Sequence, residues 1–285
     1  MNKVALITGA SSGIGFETSL TLARNEFRTF ATMRNLSKSK KIREIAKKER
    51  LPLTVIPLDV NDNASIRAAI QNILVEAKRI DVVINNAGYG LFGAVEDLSM
   101  DKIIDQFETN FFGVVRVVKS VLPIMRNQCS GTIINISSMV GRVAMPLNSV
   151  YVASKFALEG FSESIRHELS KFGINVILIE PGIVRTGFFD NLQKSKNEAA
   201  KSPYSALLKR RLSRFKSVSE SNSSSPSQVA KAILKALQSK SSNFRYIVGE
   251  DAIIVLEKRK VLSDIKFEKW IWDSIMESKS LGRAN

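Results

Sequence analysis

A chain of 285 residues with 44 % hydrophobic and 24 % charged residues has the make-up of a folded globular protein, and this excludes a disordered one. A single cysteine, Cys129, excludes an internal disulfide and a thiolate metal centre, and no apolar run reaches the roughly 18 residues of a membrane-spanning helix. The formal net charge of +15 suits an anionic partner, whether cofactor, nucleic acid or membrane surface.

The chain enters an apolar run at Val4 with no stretch before it that resembles a secretory leader, so a cytoplasmic protein without metal is expected. Val4–Thr8 reads as a first strand and Gly13–Asn25 as a first helix. Between them stands Thr8-Gly9-Ala10-Ser11-Ser12-Gly13-Ile14-Gly15. Glycines there let the backbone turn sharply and approach a ligand, while the unpaired N–H groups opening the helix favour a pyrophosphate. The plain alternative is a tight turn.

The second strand, Arg28–Met33, ends at Arg34. An acid at that place would bond an adenosine ribose and repel a 2′-phosphate; an arginine instead can form charge-assisted bonds to the phosphate. NADP is therefore expected before NAD. A helix over Ser37–Arg50, a strand over Leu53–Val60, a helix over Asn63–Lys78 and a strand over Asp81–Asn86 follow, the last running into Asn85-Asn86-Ala87-Gly88. Gly88 permits close approach of a ligand, or simply a turn after the strand.

A long helix is predicted over Ser99–Asn127, then a strand over Gly131–Ser137 with Ser138 at its carboxyl end. Open α/β sheets bind ligands at that edge, so the Ser138 hydroxyl could stabilise charge developing on a substrate oxygen. In the next helix, Val150–Phe172, Tyr151 and Lys155 stand four residues apart and so share a face. A phenol titrates near 10, and a neighbouring ammonium favours phenolate, so Lys155 is expected to tune Tyr151 as an acid/base.

A strand over Ile174–Glu180 closes the regular part. After Phe189 a basic stretch follows, with eight lysines and arginines between Asp190 and Glu220 against three acids, and then seven serines among residues 217 to 227. A mobile substrate loop over about 187–225 is expected. Ser225-Pro226-Ser227-Gln228 has the cap, proline and glutamine of a helix start, with that helix ending near Gln238. Arg245–Val248 reads as a last strand, followed by a C-terminal extension over about 250–285. The near-continuous apolar strands separated by amphipathic helices predict one α/β domain over residues 1–285, with a doubly wound parallel sheet of about seven strands.

Taken together, Thr8-Gly9-x-x-x-Gly13-Ile14-Gly15, Asn85-Asn86-Ala87-Gly88, Ser138, Tyr151-x-x-x-Lys155 and Pro181-Gly182 resemble, in order and spacing, the classical short-chain dehydrogenase/reductase family. The segment Tyr151–Gly160 and the place of Arg34 are similar to its hydroxysteroid and retinol dehydrogenase branch. The resemblance implies a single-domain Rossmann fold with strand order 3-2-1-4-5-6-7. It also implies hydride transfer between NADP(H), or NAD(H), and a carbonyl or secondary alcohol. Tyr151 would pass the proton, Ser138 would orient the substrate oxygen, and Lys155 would hold the nicotinamide ribose and lower the Tyr151 pKa.

Asn110, otherwise a polar residue costing some helix propensity, would by the same resemblance keep a water in a proton relay. The resemblance further implies a cofactor site of Gly9, Ser11, Ser12, Gly13, Ile14, Gly15, Arg34, Asp59, Val60, Asn86, Ala87, Gly88, Tyr151, Lys155, Pro181, Gly182, Val184 and Thr186. Asp59 would reach the adenine, and Val184 and Thr186 the nicotinamide end. A homodimer or homotetramer would pack the helices of Ser99–Asn127 and Val150–Phe172 against their mates.

Leu91, Phe92, Met145, Phe188 and Phe189 suggest a lipophilic substrate. His167, sixteen residues past Tyr151 on the same helix, would lie about 24 Å away and is set aside. Cys129 is incidental, and Trp270 and Trp272 are expected to dock the tail on protein. Two other classes remain beside the enzyme: a non-catalytic NADP sensor, against which Ser138, Tyr151 and Lys155 argue, and nucleic-acid binding through residues 194–216, for which no motif is present and which is not expected.

Overall fold

The computed structural model describes residues 2–186, 193–194, 202–221, 223–239 and 241–276. The β-branched runs form one parallel sheet of seven strands: β1 (Val4–Ile7), β2 (Arg28–Met33), β3 (Leu53–Pro57), β4 (Val82–Asn85), β6 (Gly131–Ile136), β7 (Ile174–Pro181) and β9 (Arg245–Val248). Numbering in chain order leaves two further short strands, β5 (Leu91–Phe92) and β8 (Gln193–Lys194), which pair only with each other. The main order is β3-β2-β1-β4-β6-β7-β9, the succession expected once that small ribbon is set aside. β3 ends short of the expected Val60, so Leu58–Val60 leave the sheet at its carboxyl edge.

Parallel neighbours require crossovers, and the helices supply them on both faces. α1 (Gly13–Arg24), α2 (Lys40–Lys48) and α8 (Pro226–Gln238) cover one face, where Phe16, Leu20, Ile42, Val229 and Ile233 pack against Ile7, Ala31 and Ile84. α3 (Asn63–Ala77), α5 (Gly113–Asn127) and α6 (Ser149–Ser170) cover the other, with Ile66, Ile73, Val117, Val121 and Leu158 against Leu6, Phe30, Val83 and Ile133. Such two-sided burial is why the strands read as continuous apolar runs. The Ser225-Pro226-Gln228 cap forms as expected: the Ser225 hydroxyl accepts from the Gln228 N–H while the Gln228 side chain accepts from the Ser225 N–H.

Two expectations are corrected. The helix predicted over Ser99–Asn127 is broken: α4 (Met100–Phe107) gives way to a π-helical turn over Glu108–Phe112 before α5 begins. Wide turns of this kind break the regular register and re-aim a side chain, and here the side chain at the centre is Asn110. The serine-rich segment is not a loop through to 225, because α7 spans Ser205–Ser221. Leu207, Leu208, Leu212 and Phe215 recur at three- and four-residue spacing there, and Leu208 and Phe215 pack with Phe92. The composition of that stretch masked its periodicity.

The tail forms α9 (Glu250–Val261) and α10 (Asp264–Met276), and Phe267, Ile271 and Ile275 pack on Met139, Val140 and Val152. Trp270 joins that cluster, so the tail docks on protein as expected; Trp272 stays half exposed.

Candidate active site

The carboxyl ends of β1, β4, β6 and β7 open into one cleft of about 610 Å³. It is lined by Gly9, Ser11, Ser12, Gly13, Ile14, Arg34, Asp59, Val60, Asn86, Ala87, Gly88, Ser138, Tyr151, Lys155, Pro181, Gly182, Val184 and Thr186. Gly15 and Asn110 are the predicted residues outside this lining. Gly15 lies beneath the loop, where a Cβ would come within 2.5 Å of the Gly9 carbonyl oxygen, so its role is to let α1 start against β1.

The loop after β1 has the shape of a phosphate cradle. Gly9 and Gly13 hold φ of +69° and +59°, a region in which side chains are strained. Thr8 and Asn86 brace it: the Asn86 amide donates to the carbonyls of Thr8 and Gly9 (2.9 and 3.0 Å), and Thr8 Oγ1 accepts from the N–H groups of Asn86 and Ala87 (3.0 and 3.1 Å). A dinucleotide fits this arrangement, since the helix start and the glycine backbone are left open toward the cleft. At the end of β2, Arg34 is joined by Lys38, which the sequence reading passed over; both are exposed and line the cleft. Lys38 lay hidden among the lysines of a polar helix start.

Ser138 caps a short turn after β6, its hydroxyl accepting from Val140 N–H and donating to the Pro181 carbonyl, each at 3.3 Å. The Tyr151 hydroxyl is hydrogen-bonded to Ser138. Lys155, one turn on, is buried; its ammonium donates to the Ile136 carbonyl at 2.8 Å and lies 5.8 Å from the Tyr151 ring centre. Burial draws Lys155 down to about 8, opposed by Glu159.

The net direction at Tyr151 differs from the expectation of a lowered phenol. Burial pushes it up to about 12, with the Ser138 hydrogen bond acting the other way. The ammonium beside it is already engaged by Ile136, and desolvation wins.

Asn110 is buried, and its amide is engaged by the chain: Oδ1 accepts from Tyr89 N–H (3.1 Å), while Nδ2 donates to the Tyr89 carbonyl (2.9 Å) and Ser154 Oγ (3.3 Å). Ser154 in turn donates to the Tyr151 carbonyl at 2.7 Å. Asn110 thus ties the segment after β4 to the helix that carries Tyr151.

Three acidic residues escaped the sequence reading because their partners are remote. Asp251 at the start of α9 accepts from the Ile183 N–H at 2.7 Å and braces the strap after Pro181. Glu159 and Glu180 are buried, and both share Arg245 (3.1 and 3.0 Å).

Of the residues expected to give an apolar pocket, Phe92 and Met145 line the cleft, joined by Phe215 and Arg211 of α7. Leu91 instead packs on Leu98 and Val150, and Phe188 and Phe189 lie outside the described residues. His167 and Cys129 are exposed and away from the cleft. Among the described residues no group of histidine, cysteine and acidic side chains could hold a metal, and no helix is long and apolar enough to cross a membrane.

The family model for short chain dehydrogenase matches residues 3–197. The chain belongs to the short-chain dehydrogenase family. As a member it is an oxidoreductase acting on CH–OH/C=O, in line with the named dehydrogenases and reductases it resembles. The 3-ketodihydrosphingosine reductase of Bacteroides thetaiotaomicron is 36 % identical over 275 residues, covering 96 % of this chain and 95 % of that protein. The human 17-beta-hydroxysteroid dehydrogenase type 1 is 35 % identical over 265 residues, covering 90 % and 80 %. The crystal structure of a short-chain dehydrogenase from Streptomyces avermitilis superposes with a TM-score of 0.81 at 29 % identity, covering 98 % of this chain and 99 % of that one.

Proposed function

We propose that this dehydrogenase moves hydride between NADP and a carbonyl or secondary alcohol of a lipophilic molecule, with Tyr151 as the acid/base. The observation that carries the reading is the Ser138–Tyr151 hydrogen bond, set beside Lys155 in the same cleft as the glycine cradle. NADP, when bound, supplies or accepts the hydride at its nicotinamide. Tyr151 donates its proton to the substrate oxygen during reduction and takes it back during oxidation. Ser138 bonds the same oxygen and limits the charge that builds there.

Lys155, turned from Ile136 toward a ribose hydroxyl, would hold the cofactor and favour phenolate in the oxidative direction. Asn110 fixes the height of α6 beneath Tyr151 through Ser154. Arg34 and Lys38, with no acid at the end of β2, favour a 2′-phosphate and hence NADP over NAD. Phe92, Met145 and Phe215 give the substrate side an apolar lining. The long-chain ketone named in the Bacteroides relative and the steroid named in the human one agree with a lipophilic substrate. The enzyme would work in the cytoplasm as a homo-oligomer, joined through the helices that expose Ile104, Phe112 and Phe156.

A panel of ketones and aldehydes offered with NADPH and with NADH, followed by loss of nicotinamide absorbance, tests this reading. Turnover of apolar carbonyls with NADPH ahead of NADH is the expected result. A protein that binds NADPH yet turns over none of them would instead be the non-catalytic sensor.

A further inference from the structure

Most buried charges in this chain have partners. Lys155 donates to a carbonyl, and Arg245 sits among Glu159, Glu163 and Glu180. Arg211 of α7 differs. It is 6 % exposed, its Nε has no hydrogen-bond partner, and it forms no ion pair among the described residues. Its guanidinium lies over the rings of Phe92 and Phe215, 5.7 and 5.5 Å from their centres, and it lines the cleft that holds Ser138 and Tyr151.

A guanidinium resting against a pair of aromatic rings is partly compensated, but its Nε donor remains unmet among the described residues. Burial draws it down only to about 10, so it keeps its charge at neutral pH. Buried unpaired charge weakens a fold, and an apolar side chain of the same volume is commonly the more stable choice. A cation kept in a cleft at that cost has the character of a ligand-binding group.

We infer that Arg211 binds a carboxylate on the substrate, so that the enzyme acts on an apolar oxo or hydroxy acid whose reacting carbon sits at Tyr151. The planar fork of a guanidinium matches the two oxygens of a carboxylate. A phosphate would bring a second charge, whereas the other cations of the lining are Arg34 and Lys38, which follow β2, and Lys155, which is engaged by Ile136. Phe92, Phe215 and Met145 suit the carbon skeleton. The assignment rests on the hydride-transfer reading for the identity of the reacting carbon, but not for the anion contact itself.

Two measurements separate the two ideas. In the first, the protein is titrated calorimetrically with decanoate and with decanol, with and without NADPH. Decanoate should bind about ten- to a hundred-fold more tightly, the range of a hydrogen bond to a charged group, and Arg211→Gln should bring the two ligands to the same affinity. Arg211→Lys should keep part of the preference, and Arg211→Met should melt above the wild type.

In the second, straight-chain oxo acids with the carbonyl moved stepwise along the chain are each compared with their methyl ester as substrates with NADPH. The acid should exceed its ester in kcat/KM by a similar factor at the best spacing. Equal binding of decanoate and decanol by the wild type overturns the assignment, and so does an Arg211→Met protein that is less stable and loses both ligands equally, as a purely structural clamp would. Preference for decanoate without reduction of any oxo acid would leave the anion site standing and remove the hydride-transfer reading. Esters reduced as well as acids, with no decanoate preference, would do the reverse.

Discussion

Lys155 sets the pH behaviour expected of the site. Its ammonium is lost as pH rises through about 8, while Tyr151, at about 12, stays protonated throughout the working range. For carbonyl reduction the kcat/KM for NADPH should therefore be level below about pH 8 and fall above it. In Lys155→Arg, whose guanidinium holds its proton, that fall should disappear even if the maximum is lower. A profile that falls at the same pH in both proteins would show that another group is responsible.

The same shift has a stability consequence of opposite sign to a salt-bridged lysine. Because the folded value is below the ordinary 10.5, the unfolded chain holds the proton longer, and this group adds stability as pH climbs from about 8 toward 10.5. At the other end of the cleft, Arg34→Ala and Lys38→Ala should each raise KM for NADPH with little effect on NADH, about tenfold for a charge-assisted phosphate contact. Steady-state kinetics with both cofactors checks it, and equal losses for the two would argue against a phosphate contact.

Residues with a local spacing signal were legible in the sequence: Tyr151 and Lys155 by one helical turn, Ser138 by the end of a strand, Gly9 and Gly13 by strand–turn–helix context. Lys38, Arg211 and Asp251 were not, because nothing near them in the chain records what they face.

Among the elements, α6, β7 and β9 are locked together by one arginine. Arg245 reaches Glu159, one turn beyond Lys155, and Glu180, which immediately precedes Pro181, while Arg142 adds a second contact to Glu180 at 3.3 Å. Burial raises the pKa of both carboxylates against the pull of the arginines. Removing Arg245 leaves them buried with less compensation, so Arg245→Met should cost about 3–5 kcal/mol in a denaturant melt. The loss should grow with pH. A carboxylate whose folded value is raised favours the folded state at low pH and loses that contribution as pH rises through the raised value. A change under about 1 kcal/mol would mean that the cluster is solvated like a surface pair.

The element scale is also where sequence reading fell short. The π turn at Asn110 is set by its contacts with Tyr89 and Ser154, which are distant in the chain. α7 is buried on one side by Phe92 in spite of its basic and serine-rich composition.

For the whole molecule, the order of strands places the first crossover, the end of β4 and the start of α6 around a single opening. A glycine cradle and a tyrosine more than a hundred residues apart thereby share one cleft. The seven strands could be read from the sequence because burial on both faces imposes an apolar run that is hard to mistake. The net charge of +15 could not be read as easily. Part of it lies on exposed Lys209, Arg210 and Lys216 of α7, while Arg211 in the same run turns inward.

The most direct test of the account is Tyr151→Phe, which removes one hydroxyl and leaves the cradle intact. NADPH binding, followed by nicotinamide fluorescence, should be retained, while single-turnover reduction of the best carbonyl substrate should fall about 10²- to 10⁴-fold, the contribution of a positioned general acid. Reduction at a rate close to the wild type would contradict the assignment of Tyr151 as the proton donor.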